Sequence, residues 1–400
     1  MLTQARIESL VAEEMAHVRA LRHDLHRHPE LMFQEKRTSE CVRRELEELG
    51  IEHVSGLAGG TGVLGVIPAT SDPGSAPTIA LRADMDALPI HEATGAPYAS
   101  QTPGVMHACG HDGHTAILIG AARVLSRLSE RPNNVMLVFQ PAEEGGFGGE
   151  KMCAEGALSG KVCGRPVDEI YGLHGWPMNE LGTVSTRVGP LLAATDEFVL
   201  TVTGKGGHAA APHHAVDPVL ASAHIITALQ SIVARRVNPM DSVVVTVAAI
   251  HAGEANNVIP DSVEMRGTIR ALRHETRSLA EREFRRIVTG VASSFGCEAE
   301  IQWLAGYPVT VNHEAPVERF RAIARRAIGE ARVIDEPFPT MGGEDFAYYG
   351  QHVPACFFLL GLKPKGASSY PLVHTPRFDF NDDALPLGVE LMARLAATPR

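Results

Sequence analysis

Apolar residues recur every three to four positions from residue 7 to residue 25. That spacing predicts an amphipathic helix, stopping near Pro29 because the residue before a proline is pushed out of helical geometry. Residues 38–49 repeat the pattern and are closed by Gly50 in the place of a C-terminal cap. Short apolar runs bounded by Gly, Pro and Ser at 63–67, 79–83 and 134–139 predict buried strands. Between the last two, Ala116, Ile117, Gly120, Ala121, Val124, Leu125 and Leu128 fall on one helical face. Asp112 is the expected N-cap of that helix.

The pattern changes around residues 189–198. From there to about residue 303 the order is strand 198–203, helix 218–233, strand 242–251, strand 262–272, helix 276–295 and strand 298–303. This βαββαβ order is that of a ferredoxin-like split unit. Along 263–271 strict alternation turns Val263, Met265, Gly267, Ile269 and Ala271 inward and Glu264, Arg266, Thr268 and Arg270 outward. Beyond it, a helix at 317–328, a strand at 355–360 and a helix at 384–395 resume the first pattern. The chain therefore reads as an α/β domain (1–192 and 305–400) interrupted by a small inserted domain (193–304). There are no internal repeats or low-complexity tracts.

Four hundred residues at 44% hydrophobic content can bury such cores. The net charge of -11 argues against a nucleic-acid or anionic-membrane partner. No uninterrupted apolar run reaches the ~20 residues of a bilayer span, and the N-terminal helix carries too many charges for a secretion signal. Cys41, Cys109, Cys153, Cys163, Cys297 and Cys356 are too scattered for a disulfide framework, which fits buried free thiols and a cytoplasmic location.

The chemistry concentrates in Met106-His107-Ala108-Cys109-Gly110-His111-Asp112-Gly113-His114. Thiolate and imidazole together suit zinc or another late first-row divalent ion, and Cys109 and His111 can reach one centre from a single loop. Three predicted strands run out into further donors. The first ends at Arg82-Ala83-Asp84-Met85-Asp86, where Asp86 is placed to orient a ligand histidine. The second ends at Pro141-Ala142-Glu143-Glu144. Adjacent carboxylates leaving an extended segment point in opposite directions, so one can ligate a metal while its neighbour faces substrate and water. The third ends at Leu173-His174-Gly175. His23, His26 and His28, by contrast, read as solvated caps at a helix end. The Gly-rich loop 204–214 lacks the spacing of a phosphate-binding loop, and Asn256 to Pro260 reads as a hairpin turn.

These segments resemble, in order and nearly end to end, the M20 metallopeptidases, and among them the amidohydrolase branch of hippurate hydrolases, indole-acetyl-amino-acid hydrolases and N-acetyl-diaminopimelate deacetylases. The matching stretches are His28-Pro29-Glu30-Leu31, Arg82 to Asp86, the Cys-Gly-His-Asp-Gly-His loop, Gln140 to Glu144, Leu173-His174, Gly206-Gly207-His208, Asn257 to Pro260, Gly342-Gly343-Glu344-Asp345-Phe346 and His374-Thr375. The wider family has a histidine at the strand exit occupied here by Ala83 to Asp86; in the amidohydrolase branch the Cys-x-His loop takes its place.

The resemblance implies a zinc-peptidase-like mixed-sheet catalytic domain with an inserted dimerisation and lid domain, and a homodimer or dimer-based tetramer. It implies two divalent ions (zinc or manganese, with cobalt or nickel also fitting the donors) held by Cys109, His111, Glu144, His174 and His374. Glu143 becomes the general base, and His208 helps polarise the scissile carbonyl. Asn257 with Arg266 or Arg270 holds the substrate carboxylate, since a guanidinium fork suits one. The implied reaction is hydrolysis of an N-acyl-L-amino acid to a carboxylic acid and a free amino acid. Alternatives are a deacetylase of the diaminopimelate type, a dipeptidase, and a thiol hydrolase with Cys109 as nucleophile and His111 or His114 as base.

Overall fold

The structure, a computed structural model, describes residues 2–400. Two compact units form. One comprises the chain up to Gly189 together with Val311–Phe338 and Asp345–Arg400; the other comprises Pro190–Thr310 and Pro339–Glu344.

The first unit is built on an eight-stranded mixed sheet. Its strands run in the order Glu52–Leu57, Gly62–Ile67, Asn134–Gln140, Thr78–Asp84, Glu169–Glu180, Ala355–Lys363, Val184–Thr186 and Val333–Asp335. The middle four are mutually parallel. Strands buried on both faces read as continuous apolar runs, and Asn134–Gln140 and Thr78–Asp84 are buried at every position. The periodic stretches form the covering helices Leu2–Arg27, Lys36–Glu48, His111–Ser126, Glu314–Ile328 and Leu385–Ala397. Glu52–Leu57 was not anticipated: its exposed edge position leaves it too polar for an apolar run to show.

Register brings the candidate chemistry to one level of this sheet. Asp84 lies opposite Gln140, the last residue before the turn that carries Glu143 and Glu144. Arg82 lies opposite Gly172, two residues before His174. All three strand exits therefore open at the carboxyl edge of the parallel strands, where open α/β sheets place ligands.

The second unit is a four-stranded antiparallel sheet in the order Val243–His251, Ser262–Ala271, Ala194–Thr203, Glu298–Ala305, with helices Pro218–Ser231 and His274–Ser294. Phe284 packs on Phe198 at 4.5 Å and on Trp303 at 5.6 Å between ring centroids. Asp217 caps its first helix through the Val219 and Leu220 N–H groups, followed by Pro218 at the first helical position. Continued by a π-helical turn to Arg236, this helix reaches 19 residues and is long and apolar enough, by length and composition, to cross a bilayer. It is not an uninterrupted apolar run, since Ser222, His224, Thr227, Gln230, Ser231, Arg235 and Arg236 break it. Here its apolar residues Ala221, Ile225, Leu229 and Ile232 are buried in the core of the second unit.

Candidate metal centre

The helix His111–Ser126 starts differently from expectation. Gly110 is its N-cap, in the left-handed region at φ 91°, where a side chain would be strained. A Cβ on Gly113 would lie 2.5 Å from the Phe380 ring, so this turn is glycine at both places for conformational and packing reasons. Asp112 is therefore not the cap. It lies fully buried in the first turn and accepts from Arg22 Nε and His26 Nδ1, each at 2.8 Å.

The structure also overturns the reading of His26 as a solvated cap. His26 is completely buried, with Nε2 facing Glu92 Oε1 at 3.3 Å and Nδ1 on Asp112. His23 is half-buried, stacked on Tyr98 and paired with Asp382; His28 donates to the Asp24 carbonyl. The carboxylates that capture His26 come from 66 and 86 residues away, so helix periodicity alone could not reveal them. Burial alone would depress the His26 pKa, but Asp112 and Glu92 outweigh it and raise it to about 9. A pKa raised on folding contributes stability that is complete below the unfolded value of about 6.5 and is lost as pH rises through the folded value. Relative to His26→Gln, the wild type is expected to lose about 3 kcal/mol of unfolding free energy between about pH 6 and about pH 10, read from urea midpoints.

Around the sheet edge, the donor atoms of Cys109, His111 and His174 lie within 4.8 Å of one another, and so do those of Cys109, Glu144 and His374. Cys109 belongs to both groups. A third overlapping group joins His111 to Glu143 and Glu144. The five expected ligands are thus one cluster, all in the first unit.

Their orientation fits cations. His174 Nδ1 donates to the Gly175 carbonyl at 2.8 Å, leaving Nε2 as an acceptor that meets the Cys109 thiol at 3.2 Å. His111 Nδ1 donates to Asp86 Oδ1 at 3.2 Å, whereas its buried Nε2 has no hydrogen-bond partner. A histidine anchored through one nitrogen with the other turned into a cluster of donors is the usual arrangement of a metal ligand. His374 Nε2 sits 3.1 Å from Glu144 Oε1, outside hydrogen-bonding geometry, so that buried oxygen is left without such a partner. His374 itself is held at φ 62°, its N–H donating to the Ala108 carbonyl. Burial pushes the Cys109 thiol well up, reinforced by Glu144 and Glu143, and ligation requires that it give up its proton.

Asp86 organises the cluster. Besides His111, its two oxygens accept the backbone N–H groups of Glu143 and Glu144 at 3.0 and 2.9 Å. The two glutamates do not leave an extended segment as expected: the strand ends at Gln140, and Ala142 turns the chain at φ 56°. Glu143 is buried, and its Oε1 accepts from the Asp345 N–H at 3.3 Å.

A second layer of side chains had no place in the expected metal site, His114 having entered only as a possible base of a thiol hydrolase. His114 accepts the Gly175 N–H at Nε2 (2.8 Å), so Nδ1 carries the proton and donates to Asp84 Oδ1 at 2.6 Å. Both ring nitrogens are thereby committed to protein. Buried Arg82 binds Asp84 at 2.6 Å, Gln140 at 2.9 Å and Asp345 at 2.9 Å. The available signal was a pair of opposite charges two residues apart in an apolar strand, hence on one face.

In the second unit, taken by itself, His208 and Asn257 are brought together. Gly207 and His208 pair with Ile259 and Val258, and the Asn257 carbonyl accepts from the Ala209 N–H at 3.0 Å. The stretch read as a hairpin turn thus docks on the His208 loop. Ala210 N–H donates to His208 Nδ1, which puts the ring proton on Nε2. Arg266 is exposed and paired with Glu264, whereas Arg270 is half-buried.

Residues 80–398 match the family described as Peptidase family M20/M25/M40. The chain is 41% identical over 381 residues to the IAA-amino acid hydrolase ILR1-like 4 of Arabidopsis thaliana, covering 94% of this chain and 84% of that protein. It is 39% identical over 389 residues to the N-acetylcysteine deacetylase of Bacillus subtilis (strain 168), covering 96% and 98%. Among solved structures, the YXEP protein of Bacillus subtilis, described as a dinuclear metal binding peptidase from M20 family, superposes with a TM-score of 0.82 at 36% identity, covering 96% and 98%. A cluster of metal-type donors at a sheet edge and near end-to-end similarity lead to one conclusion: the chain belongs to peptidase family M20/M25/M40 and is an amidohydrolase of that family.

Proposed function

We propose that this enzyme hydrolyses the amide bond of N-acyl-L-amino acids, using two divalent ions held by Cys109, His111, Glu144, His174 and His374. The observation that carries this is the pair of donor groups sharing Cys109 beside buried Glu143. Such ions supply Lewis acidity, acidifying water and drawing charge from an amide carbonyl. Glu143 takes the proton of the attacking water and delivers it to the departing amine nitrogen, its carboxylate aimed by the Asp345 N–H. Asp86 keeps His111 in the tautomer whose Nε2 is a donor to metal. In this reading the second unit contributes His208, whose Nε2–H can donate to the substrate carbonyl, and Asn257 with Arg266 or Arg270 for the carboxylate; it also pairs two copies of the chain.

Thiol catalysis fits less well, because it leaves the donor group that Glu144 and His374 form with Cys109, and Glu143 beside it, without a role. The names of the relatives support both bulky aromatic and small acyl groups. The test is release of free amino acid from N-acetyl, N-benzoyl and N-indole-acetyl amino acids, before and after chelation and after reconstitution with zinc, manganese, cobalt or nickel. Chelation should abolish turnover and one of the ions restore it. Turnover that survives chelation but not thiol alkylation would overturn the reading in favour of Cys109 as nucleophile.

A further inference from the structure

The stretch from Glu30 to Glu35 begins with the last two residues of the His-Pro-Glu-Leu motif and has no part in the chemistry described so far. It nevertheless touches both segments that set the candidate centre. The Glu30 carbonyl accepts from the Ala87 N–H at 2.8 Å, and Leu31 bridges to Ala87, next to Asp86. At the other end lies Glu35, completely buried. Its Oε1 accepts the backbone N–H groups of Ala142 at 2.9 Å and Phe33 at 3.0 Å; its Oε2 accepts from the Thr61 hydroxyl at 2.8 Å.

Two of those partners are backbone groups in unusual geometry. Ala142 (φ 56°) and Phe33 (φ 61°) both occupy the left-handed region, which non-glycine residues hold only when their surroundings enforce it. The Ala142 carbonyl is fixed as well, accepting from the Gly148 N–H at 3.1 Å. The Phe33 ring closes the arrangement: a Cβ on Gly146 would meet it at 2.9 Å, so turn and ring are packed against each other. Asp86 holds the N–H groups of Glu143 and Glu144, and one residue earlier Glu35 holds that of Ala142. The turn that presents the base and a candidate ligand is thus gripped at three successive N–H groups by two carboxylates.

We propose that Glu35 is a positioning residue for the Glu143–Glu144 turn, holding Ala142 in the left-handed geometry from which both glutamates are presented. This rests on the function proposed above only for its activity readout. A buried carboxylate that satisfies three donors from separate segments aligns groups it does not touch, and removing partners of this kind costs about 10- to 100-fold in metal affinity or activity. Burial pushes the Glu35 carboxyl up to about 7, so a neutral glutamine, with an oxygen for the two N–H groups and an amide for Thr61, is a close substitute.

The test compares Glu35→Ala, Glu35→Gln and the double variant Glu35→Ala/Ala142→Gly, with two readouts: kcat of the metal-loaded enzyme, and hydrogen–deuterium exchange of the metal-free protein across residues 141–148. Glu35→Ala should lower kcat about 10- to 100-fold and speed exchange in that stretch. Glu35→Gln should stay close to wild type, and Ala142→Gly should restore part of the turnover because glycine enters the left-handed region without help. If Glu35→Ala does not fold, Glu35→Asp, too short to reach Ala142, takes its place with the same expectation. Wild-type kcat and exchange in the shortened variant would overturn the proposal, as would failure of Ala142→Gly to recover any turnover. If the wild type cleaves no N-acyl amino acid, the functional reading fails, while the exchange experiment still decides the role of Glu35.

Discussion

Replacing Glu143 by alanine is expected to leave metal binding intact and lower kcat by about 10²- to 10⁴-fold, the usual contribution of a positioned acid–base group. The donor groups explain the first half: Cys109, His111 and His174 form one, and Cys109, Glu144 and His374 another, neither of which needs Glu143. The second half follows from its placement. Glu143 is buried beside His111 and Glu144, its oxygen held by the Asp345 N–H. Metal content by elemental analysis and kcat on an N-acyl amino acid check the two halves separately. Glu144→Ala should behave differently, losing metal as well as turnover. If Glu143→Ala retains full turnover, the proton passes through another group.

Arg82→Met is expected to destabilise the first unit by about 3–5 kcal/mol, the cost of removing one partner from a buried ion pair. Arg82, Asp84 and Asp345 are all fully buried. Deleting the guanidinium leaves two carboxylates without their cation inside the sheet. Gln140 Nε2 and the Gly149 N–H still serve Asp345, and His114 still serves Asp84, so the loss stays below complete unfolding of a stable domain. The urea midpoint measures it. Because Asp345 also aims Glu143, kcat of the folded fraction should fall too. A midpoint unchanged from wild type would show that the interior tolerates the pair unneutralised.

Much of the centre was legible because its residue types are costly anywhere else. The Cys-Gly-His-Asp-Gly-His run points to metal by itself; the adjacent glutamates and the histidine at another strand exit gain that reading only in its company, and the full ligand set with His374 came from the family resemblance. The second unit was legible for another reason: the alternation of Val263, Met265, Ile269 and Ala271 is a local consequence of one-sided burial, and all four are buried. What stayed hidden was pairing. Arg82 and Asp84 carried no role of their own in a strand exit singled out for Asp86, and His26 looked like any histidine near a helix end. Their roles depend on Asp345, Asp112 and Glu92, brought close only by the fold.

By itself, then, the sequence determined the inventory: which elements form, which donors stand at their ends, and what chemistry such donors can perform, because periodicity and residue type are local properties. Only the tertiary structure decided which nitrogen of each histidine is turned toward the cluster, which carboxylates lie together there, and which groups surround the left-handed turn at Ala142. Apart from His174, which bonds to its neighbour Gly175, those are set by hydrogen bonds between residues 25 to 263 apart, His111 to Asp86 and Arg82 to Asp345 among them. A buried polar group takes its tautomer, charge and direction from the partner that desolvation obliges it to find.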